Sequence, residues 1–477
     1  MSDPGHPKRE SPPGEGVTQR QDGTRIASLA MRAAQAVDPE RLQARLRGLA
    51  SFGAARPGDI HGGVARQALT PQELLARRWL ATEFACRPGY SVGIDAAANV
   101  YIRRHGENAN AAPVLTGSHV DTQPLGGWLD GAFGVAAGLE VFAALDAAGL
   151  RTHRPIDTVM WTNEEGSRFA PGLMGSASYT DPARLATFRD TADAQGVTFL
   201  QACNDAREDF SMAAREAGWR WFDAPLARPL HAYIEAHIEQ GPILEARGLQ
   251  VGCVTAIQGV RWYRVTVPGR SAHAGTTPDA ARDDAQAKAI ALAHALLEYG
   301  RAQDDAALRL TIGRWQCRPD SINTIADQVV FTIDARHPDA SVLDALHARL
   351  QALLPAGAAI EVLQHKPTVA FDLGLVELAR QACRSLALPH ADMLSGAFHD
   401  AMPLAGFCPT AMLFAPSIGG VSHHPDEHTG IEDLAACTRA LAWCLAELAQ
   451  DGNVGAADGA DAGSPAIPTP DLSTPTR

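Results

Sequence analysis

The stretch 116–131, "TGSHVDTQPLGGWLDG", carries His119, Asp121 and Asp130 out of the apolar run "APVL" and into a glycine-rich turn. In open α/β sheets ligands gather beyond the carboxyl ends of the strands, and His119 stands where such a strand runs out. Taken alone, a histidine beside carboxylates is more often a hydrogen-bonded structural group than a metal ligand. Companion segments decide between the two.

Three segments repeat the arrangement. "DTVMWTNEEGSRF" closes an apolar run with Glu164 and Glu165, "HAYIEAHIEQG" delivers His237, and "APSIGGVSHHPDEHTG" carries His423 in a second glycine-rich loop. An isolated Glu pair is ordinarily a solvated acidic turn. On an extended backbone, however, adjacent side chains point to opposite sides, so one carboxylate can hold a metal while its neighbour reaches a water. Four strand ends that each present His, Asp or Glu outweigh the structural alternative as a set. Imidazole and carboxylate without thiolate suit Zn, Mn, Co or Ni in a catalytic rather than a structural site.

The surrounding chain predicts an α/β fold. Helical patterns such as "PQELLARRWLATEFAC" and "GAFGVAAGLEVFAALDAAG" alternate with short apolar runs, the pattern of a mostly parallel sheet. From about residue 252 the texture changes to period-two strands, "RWYRVTVPG", "LRLTIGRW" and "QVVFTIDARH", interleaved with the helical "DAARDDAQAKAIALAHALLEYG" and "ASVLDALHARLQALL". After about 364 the α/β texture returns. The expected organisation is a catalytic domain at 24–251 and 365–450, interrupted by a smaller α+β domain at 252–364. The segments 1–23 and 451–477 are Gly-, Pro- and Asp-rich or without apolar periodicity, and read as disordered tails.

Composition narrows the function. A chain of 477 residues, 46% hydrophobic and 20% charged, can bury sizeable cores. A formal charge of −13 without any basic run argues against a nucleic-acid surface. No apolar stretch approaches the roughly 18 to 20 residues of a membrane span, and the N-terminus lacks a secretory apolar segment. Eight scattered cysteines without CxxC pairing indicate neither a disulfide framework nor a thiolate zinc site. These features fit a cytoplasmic enzyme of small molecules.

"GSHVDTQPLGGWLDG", "TNEEGSRFAPGLMGS", "EAHIEQGPILEARG", "SAHAGTTP", "SINTIADQVVFTIDARHPD", "SGAFHDAM" and "GVSHHPDEHT" together resemble the hydantoinase/carbamoylase family of amidases. That family lies within the aminoacylase/carboxypeptidase-type two-metal hydrolases, and the likeness runs from about residue 40 to 450. It implies that His119, Asp130 and His237 hold one divalent ion and that Asp130, Glu165 and His423 hold a second. Asp121 would orient His119, and Glu164 would move the proton between the attacking water and the leaving amine. His273 would stabilise the oxyanion. Asn323 and Arg336 would grip a substrate carboxylate, with Gln240 bordering the substrate. The inserted domain would act as lid and homodimer interface, with His273 crossing to the neighbouring subunit's site.

The resemblance implies hydrolysis of a linear amide or ureido C–N bond, foremost in N-carbamoyl-L-amino acids, yielding amino acid, ammonia and carbon dioxide. Allantoate, ureidoglycolate and N-carbamoyl-β-alanine are the alternative substrates, and a catalytically silent metal-binding scaffold is the alternative of another class. Three departures stand out. Phe398 replaces a small residue in "SGAFHDAM", His424 follows His423 directly, and "NTIADQ" replaces a more usual "NxIP".

Overall fold

The most buried runs of the sequence become the centre of the fold. "VLTGSH", "IDTVMW", "AYIEAHI" and "TAMLFA" are buried at every position, so they read as continuous apolar runs rather than as alternations. The computed structural model describes residues 29–56 and 58–450; the expected tails lie outside the described residues.

A short hairpin of β1 (Ala54–Arg56) and β2 (Asp59–Val64) precedes the main sheet. That sheet holds β3 (Tyr90–Ile94), β4 (Val100–Arg104), β5 (Val114–His119), β6 (Ile156–Trp161), β7 (Ala232–Ile238) and β8 (Val251–Ile257). The chain then builds a second, four-stranded sheet from β9 (Gly259–Pro268), β10 (Arg309–Arg318), β11 (Gln328–His337) and β12 (Ala359–Lys366), and returns with β13 (Val369–Ala370), β14 (His390–Ser395) and β15 (Thr410–Ala415). The main sheet runs β13-β8-β15-β7-β5-β6-β4-β3, with β14 also on β8. Its central neighbours β15, β7, β5 and β6 are parallel. Their carboxyl ends therefore open on one edge, and the four motif-bearing segments leave from that edge.

Two glycines make this centre possible. Gly117 lies inside β5 at φ +125°, where an added Cβ would stand 2.1 Å from the Val159 carbonyl oxygen of the neighbouring strand. Gly131, at φ +64°, begins the helix Ala132–Ala147 and lets the His119 ring lie against its backbone; a Cβ there would meet the imidazole at 2.3 Å. The helix beyond is buried over almost its whole length. Its Glu140 carboxylate is held by Arg41 at 2.5 Å and Arg45 at 3.2 Å, which compensates the charge it buries.

The second sheet is antiparallel, in the order β10-β11-β9-β12. β11 alternates buried and half-buried residues along its length, as expected when helices cover one face. The helices Ala285–Ala302 and Ala340–Leu353 cover it, and Val265, Phe331, Ile333 and Leu346 form a core separate from that of the main sheet. Asp284 and Asp339 cap these helices through their first backbone N–H groups.

Two expectations need correction. The change of sheet expected at residue 252 falls inside β8, which pairs with β15 and β14 of the main sheet; the crossing comes at Gln258. A single residue separates β8 from β9, so the sequence shows one continuous strand-like texture there. The helix expected from "DAARDD" onward starts only at Ala285, because Asp284 caps it and Asp279–Ala281 forms a separate 3-10 turn.

Candidate metal centre

His119 is the last residue of β5 and His237 the last but one of β7, so parallel pairing sets the two imidazoles side by side, ring centroids 6.0 Å apart. Asp130 comes up between them from the turn before the helix Ala132–Ala147, at whose positive end its charge is favoured. Its Oδ1 lies 3.2 Å from His237 Nε2 and 3.8 Å from His119 Nε2, and its Oδ2 lies 3.1 Å from His423 Nε2. His423 reaches the cluster from the loop after β15, with a left-handed backbone at φ +55°. It also approaches Glu165 Oε2 at 3.6 Å. His424 is not part of this cluster; its Nδ1 lies 3.6 Å from Asp426 Oδ2.

Ligand-type atoms thus converge in two groups, His119–Asp130–His237 and Asp130–Glu165–His423, that share Asp130. The donor set fits cations. His119 Nδ1 is 2.9 Å from the Asp121 carbonyl and His237 Nδ1 is 2.9 Å from the Ile238 carbonyl. A carbonyl only accepts, so both Nδ1 atoms carry the hydrogen and both Nε2 lone pairs face a carboxylate. Acceptor against acceptor at such distances is repulsive without a positive charge between them.

The electrostatics agree on this deficit of charge. Burial pushes Glu164 well above the usual carboxyl range, reinforced by Asp400, Glu165, Asp130 and Asp121, and pushes Glu165 up to about 8 with Asp130 beside it. Burial lowers His119 to about 4, whereas for His237 the hydrogen bond and charge of Asp130 overcome burial and raise it to about 9. A proton on His237 Nε2 conflicts with the Gly131 N–H that donates to that atom at 3.1 Å. The backbone donor is fixed by the helix start and Nδ1 is committed, so the lone pair on Nε2 is the state that the fold builds. A metal cation held in the gap would supply the positive charge that the proton would.

Asp121 meets His119 through its backbone and the Glu pair through its side chain. Its backbone carbonyl orients His119, while its buried carboxylate accepts the backbone N–H groups of Glu164 at 3.3 Å and Glu165 at 3.2 Å. The Glu pair is also not on extended backbone: β6 ends at Trp161 and Asn163 turns left-handed at φ +57°. Asp121 thus anchors the turn that separates the two side chains. Glu164 Oε2 stands 3.5 Å from His119 Nε2, outside both ligand groups, and Gln123 donates to Glu165 at 2.6 Å. Gln240 donates to Asp130 Oδ2 at 3.0 Å.

A cleft of about 1680 Å³ covers this cluster and extends to β10, β11 and β12 of the second sheet. Arg336 lines it, but its guanidinium is engaged by Asp334 at 2.8 Å and by the Gly396 carbonyl at 2.7 Å. His273 and Asn323 are exposed and are not among the described residues that line the cleft. They lie together in the second sheet's loops, where Ala274 N–H donates to the Asn323 carbonyl at 3.0 Å. The chain's own structure therefore does not bring them to its own cluster.

Several contributors went unassigned by sequence reasoning. Glu427 is buried and accepts the backbone N–H groups of Leu129 and Asp130 at 2.8 and 3.0 Å, tying the Asp130 turn to the His423 loop. Glu235 sits in β7 and accepts from Ser118, Tyr233 and the Ala401 N–H. Although Glu235, His237 and His399 also cluster, those three donors satisfy the Glu235 carboxylate, and His399 pairs with Ser395 at 3.0 Å. A Glu two residues from His237 on a wholly buried strand was the available signal, since a carboxylate there needs partners.

The model of peptidase family M20/M25/M40 matches residues 115–447. An N-carbamoyl-L-amino-acid amidohydrolase of Rhizobium meliloti is 36% identical, covering 87% of this chain and 97% of that protein. An allantoate amidohydrolase of Escherichia coli (strain K12) is 35% identical, over 86% of this chain and 98% of that one. The solved structure of a hydantoinase/carbamoylase family amidase from Burkholderia multivorans superposes with a TM-score of 0.77 at 39% identity, over 87% and 98% of the two chains. The chain belongs to peptidase family M20/M25/M40, whose hydrolases are metal-dependent, and within it to the hydantoinase/carbamoylase family of amidases. Among the described residues no helix is long and apolar enough to cross a membrane.

Proposed function

We propose that this chain hydrolyses the ureido C–N bond of N-carbamoyl-L-amino acids, releasing amino acid, ammonia and carbon dioxide. The observation that supports this most is the pair of ligand groups sharing Asp130, with Glu164 beside them but outside both, under a cleft large enough for a small carboxylated molecule. His119, Asp130 and His237 would hold one divalent ion, and Asp130, Glu165 and His423 the other. Two ions of the Zn, Mn, Co or Ni type supply Lewis acidity to the attacked carbonyl and a nucleophile near neutral pH.

Glu164 takes the proton of the attacking water and hands it to the leaving nitrogen, a task suited to a carboxyl held well above the usual carboxylate range by burial and its acidic neighbours. Asp121 positions Glu164 and Glu165 through their backbone N–H groups. Arg336, after exchanging part of its contact with Asp334, takes the substrate carboxylate through its planar fork, with Gln240 at the edge of the substrate. Allantoate or ureidoglycolate is the second reading, favoured by the near-equal identity of the allantoate amidohydrolase.

The test is ammonia release by the metal-supplemented protein from N-carbamoyl-L-amino acids, N-carbamoyl-β-alanine, allantoate and ureidoglycolate, with release of the free amino acid from N-acetyl amino acids as the contrast. Turnover of the N-acetyl compounds alone would reject the ureido reading.

Because His273 and Asn323 are exposed and away from their own cleft, we assign them to the site of a second copy in a homodimer. Mixing inactive Glu164→Gln chains with inactive His273→Ala chains, under subunit exchange, is expected to restore about a quarter of wild-type activity, since half the dimers are mixed and each holds one intact site. No recovery despite proven exchange would place His273 in its own subunit's chemistry.

A further inference from the structure

The cleft holds a cation that no carboxylate of the described residues contacts. Lys366, at the end of β12, lines the cleft together with His119 and Glu164. Its ammonium rests 3.9 Å from the centre of the Phe398 ring. Among the described residues its Nζ makes neither a hydrogen bond nor an ion pair, and Glu164 acts on it only through space. Arg336 differs, because Asp334 and the Gly396 carbonyl already engage it.

Two further features make the arrangement specific. The Phe398 ring both seats the ammonium by a cation–π contact and keeps water from one side of it. Gln364, two positions earlier on β12, also lines the cleft, and its buried amide oxygen lacks a partner. Because amide oxygen and nitrogen exchange by a flip, that end can equally present a donor. A half-buried ammonium beside an unpaired amide is a receptor for a carboxylate, since leaving such groups without partners costs free energy that a bound anion returns. Burial lowers the Lys366 ammonium from its ordinary value, and the charge of Glu164, which acts the other way, does not offset it.

We propose that Lys366, seated on Phe398, is a specificity-determining residue that receives a second carboxylate, so that the preferred substrates are ureido amino acids with acidic side chains. This rests on the proposed ureido hydrolysis, with Arg336 taking the first carboxylate.

The experiment compares kcat/KM of the metal-loaded enzyme for N-carbamoyl-L-aspartate and N-carbamoyl-L-glutamate with that for the uncharged N-carbamoyl-L-asparagine and N-carbamoyl-L-glutamine. Wild type is expected to prefer the acids by about thirtyfold, the worth of one charge-assisted contact. Lys366→Met should bring the ratio to about one, mainly through KM, and Lys366→Glu should invert it, while Lys366→Arg should keep most of the preference. A ratio in Lys366→Met equal to that of wild type overturns the proposal. So does a wild-type enzyme that shows no preference, a result independent of how well any variant folds. Failure on these four compounds with turnover of N-carbamoyl-L-amino acids that bear apolar side chains, or activity on the amides equal to that on the acids, defeats only the role given to Lys366, whereas failure on every ureido substrate defeats the ureido reading itself.

Discussion

Glu164→Gln is expected to lower kcat by about two to four orders of magnitude, the usual worth of a positioned general base, while metal content stays that of wild type. Glutamine keeps the volume and the hydrogen-bonding reach of the side chain and removes only its basicity. The geometry separates the two neighbours. Glu165 lies in a ligand group with Asp130 and His423, whereas Glu164 lies in none and approaches His119 at 3.5 Å. Its surroundings suit proton transfer: burial and four other carboxyl groups hold it well above the ordinary range. Glu165→Gln should behave in the opposite manner, losing bound metal at the group it shares with His423. Metal analysis of both purified variants beside single-turnover and steady-state rates distinguishes them. Full metal in Glu165→Gln and depleted metal in Glu164→Gln would exchange the two roles.

The residues that converge were legible in the sequence because strand ends are where an α/β sheet exposes polar groups. β5, β6, β7 and β15 were visible as apolar runs, and being parallel neighbours they bring His119, the Glu pair, His237 and the His423 loop to one edge. What the sequence did not display was how each group is held. Asp121 follows His119 by two residues, which suggests a carboxylate aimed at the imidazole. The turn instead gives the imidazole the Asp121 backbone carbonyl and spends the carboxylate on two N–H groups. Backbone hydrogen bonding of this kind leaves no trace in residue identity. Glu427 was hidden for a similar reason, because an acid that satisfies backbone donors across nearly three hundred residues looks in sequence like any loop carboxylate.

The border between the two sheets illustrates a different loss. β8 is a central strand and β9 belongs to the other sheet, yet one residue separates them and both are rich in Val. Composition cannot mark a change of partner when both partners demand the same β-branched residues. Likewise, the exposure of His273 and Asn323 is invisible in their motifs, and it is the observation on which their proposed placement in a second subunit's site rests.

Asp130→Asn is expected to abolish activity and to remove the site's capacity for two ions, because Asp130 is the one residue common to both ligand groups. An amide retains a single carbonyl oxygen as a ligand and adds an NH₂ that would face the His423 or His237 Nε2, so it cannot present an oxygen to each group as the carboxylate does. The consequence reaches stability as well as rate. An ion that binds only the folded state stabilises it by about 4 kcal/mol at a thousandfold excess over Kd, and removing the shared ligand forfeits that gain. Wild-type protein stripped by a chelator should therefore unfold at a lower temperature and recover on addition of Zn or Mn. Asp130→Asn should show the same midpoint with and without metal, apart from any weak residual binding at a single group. The Glu427 carboxylate should remain seated on the Leu129 and Asp130 backbone N–H groups in the variant, since neither contact involves the altered side chain. Loss of the thermal response together with a preserved fold by circular dichroism would tie both ions to this one carboxylate, whereas two ions still bound to Asp130→Asn would show that the groups do not depend on it.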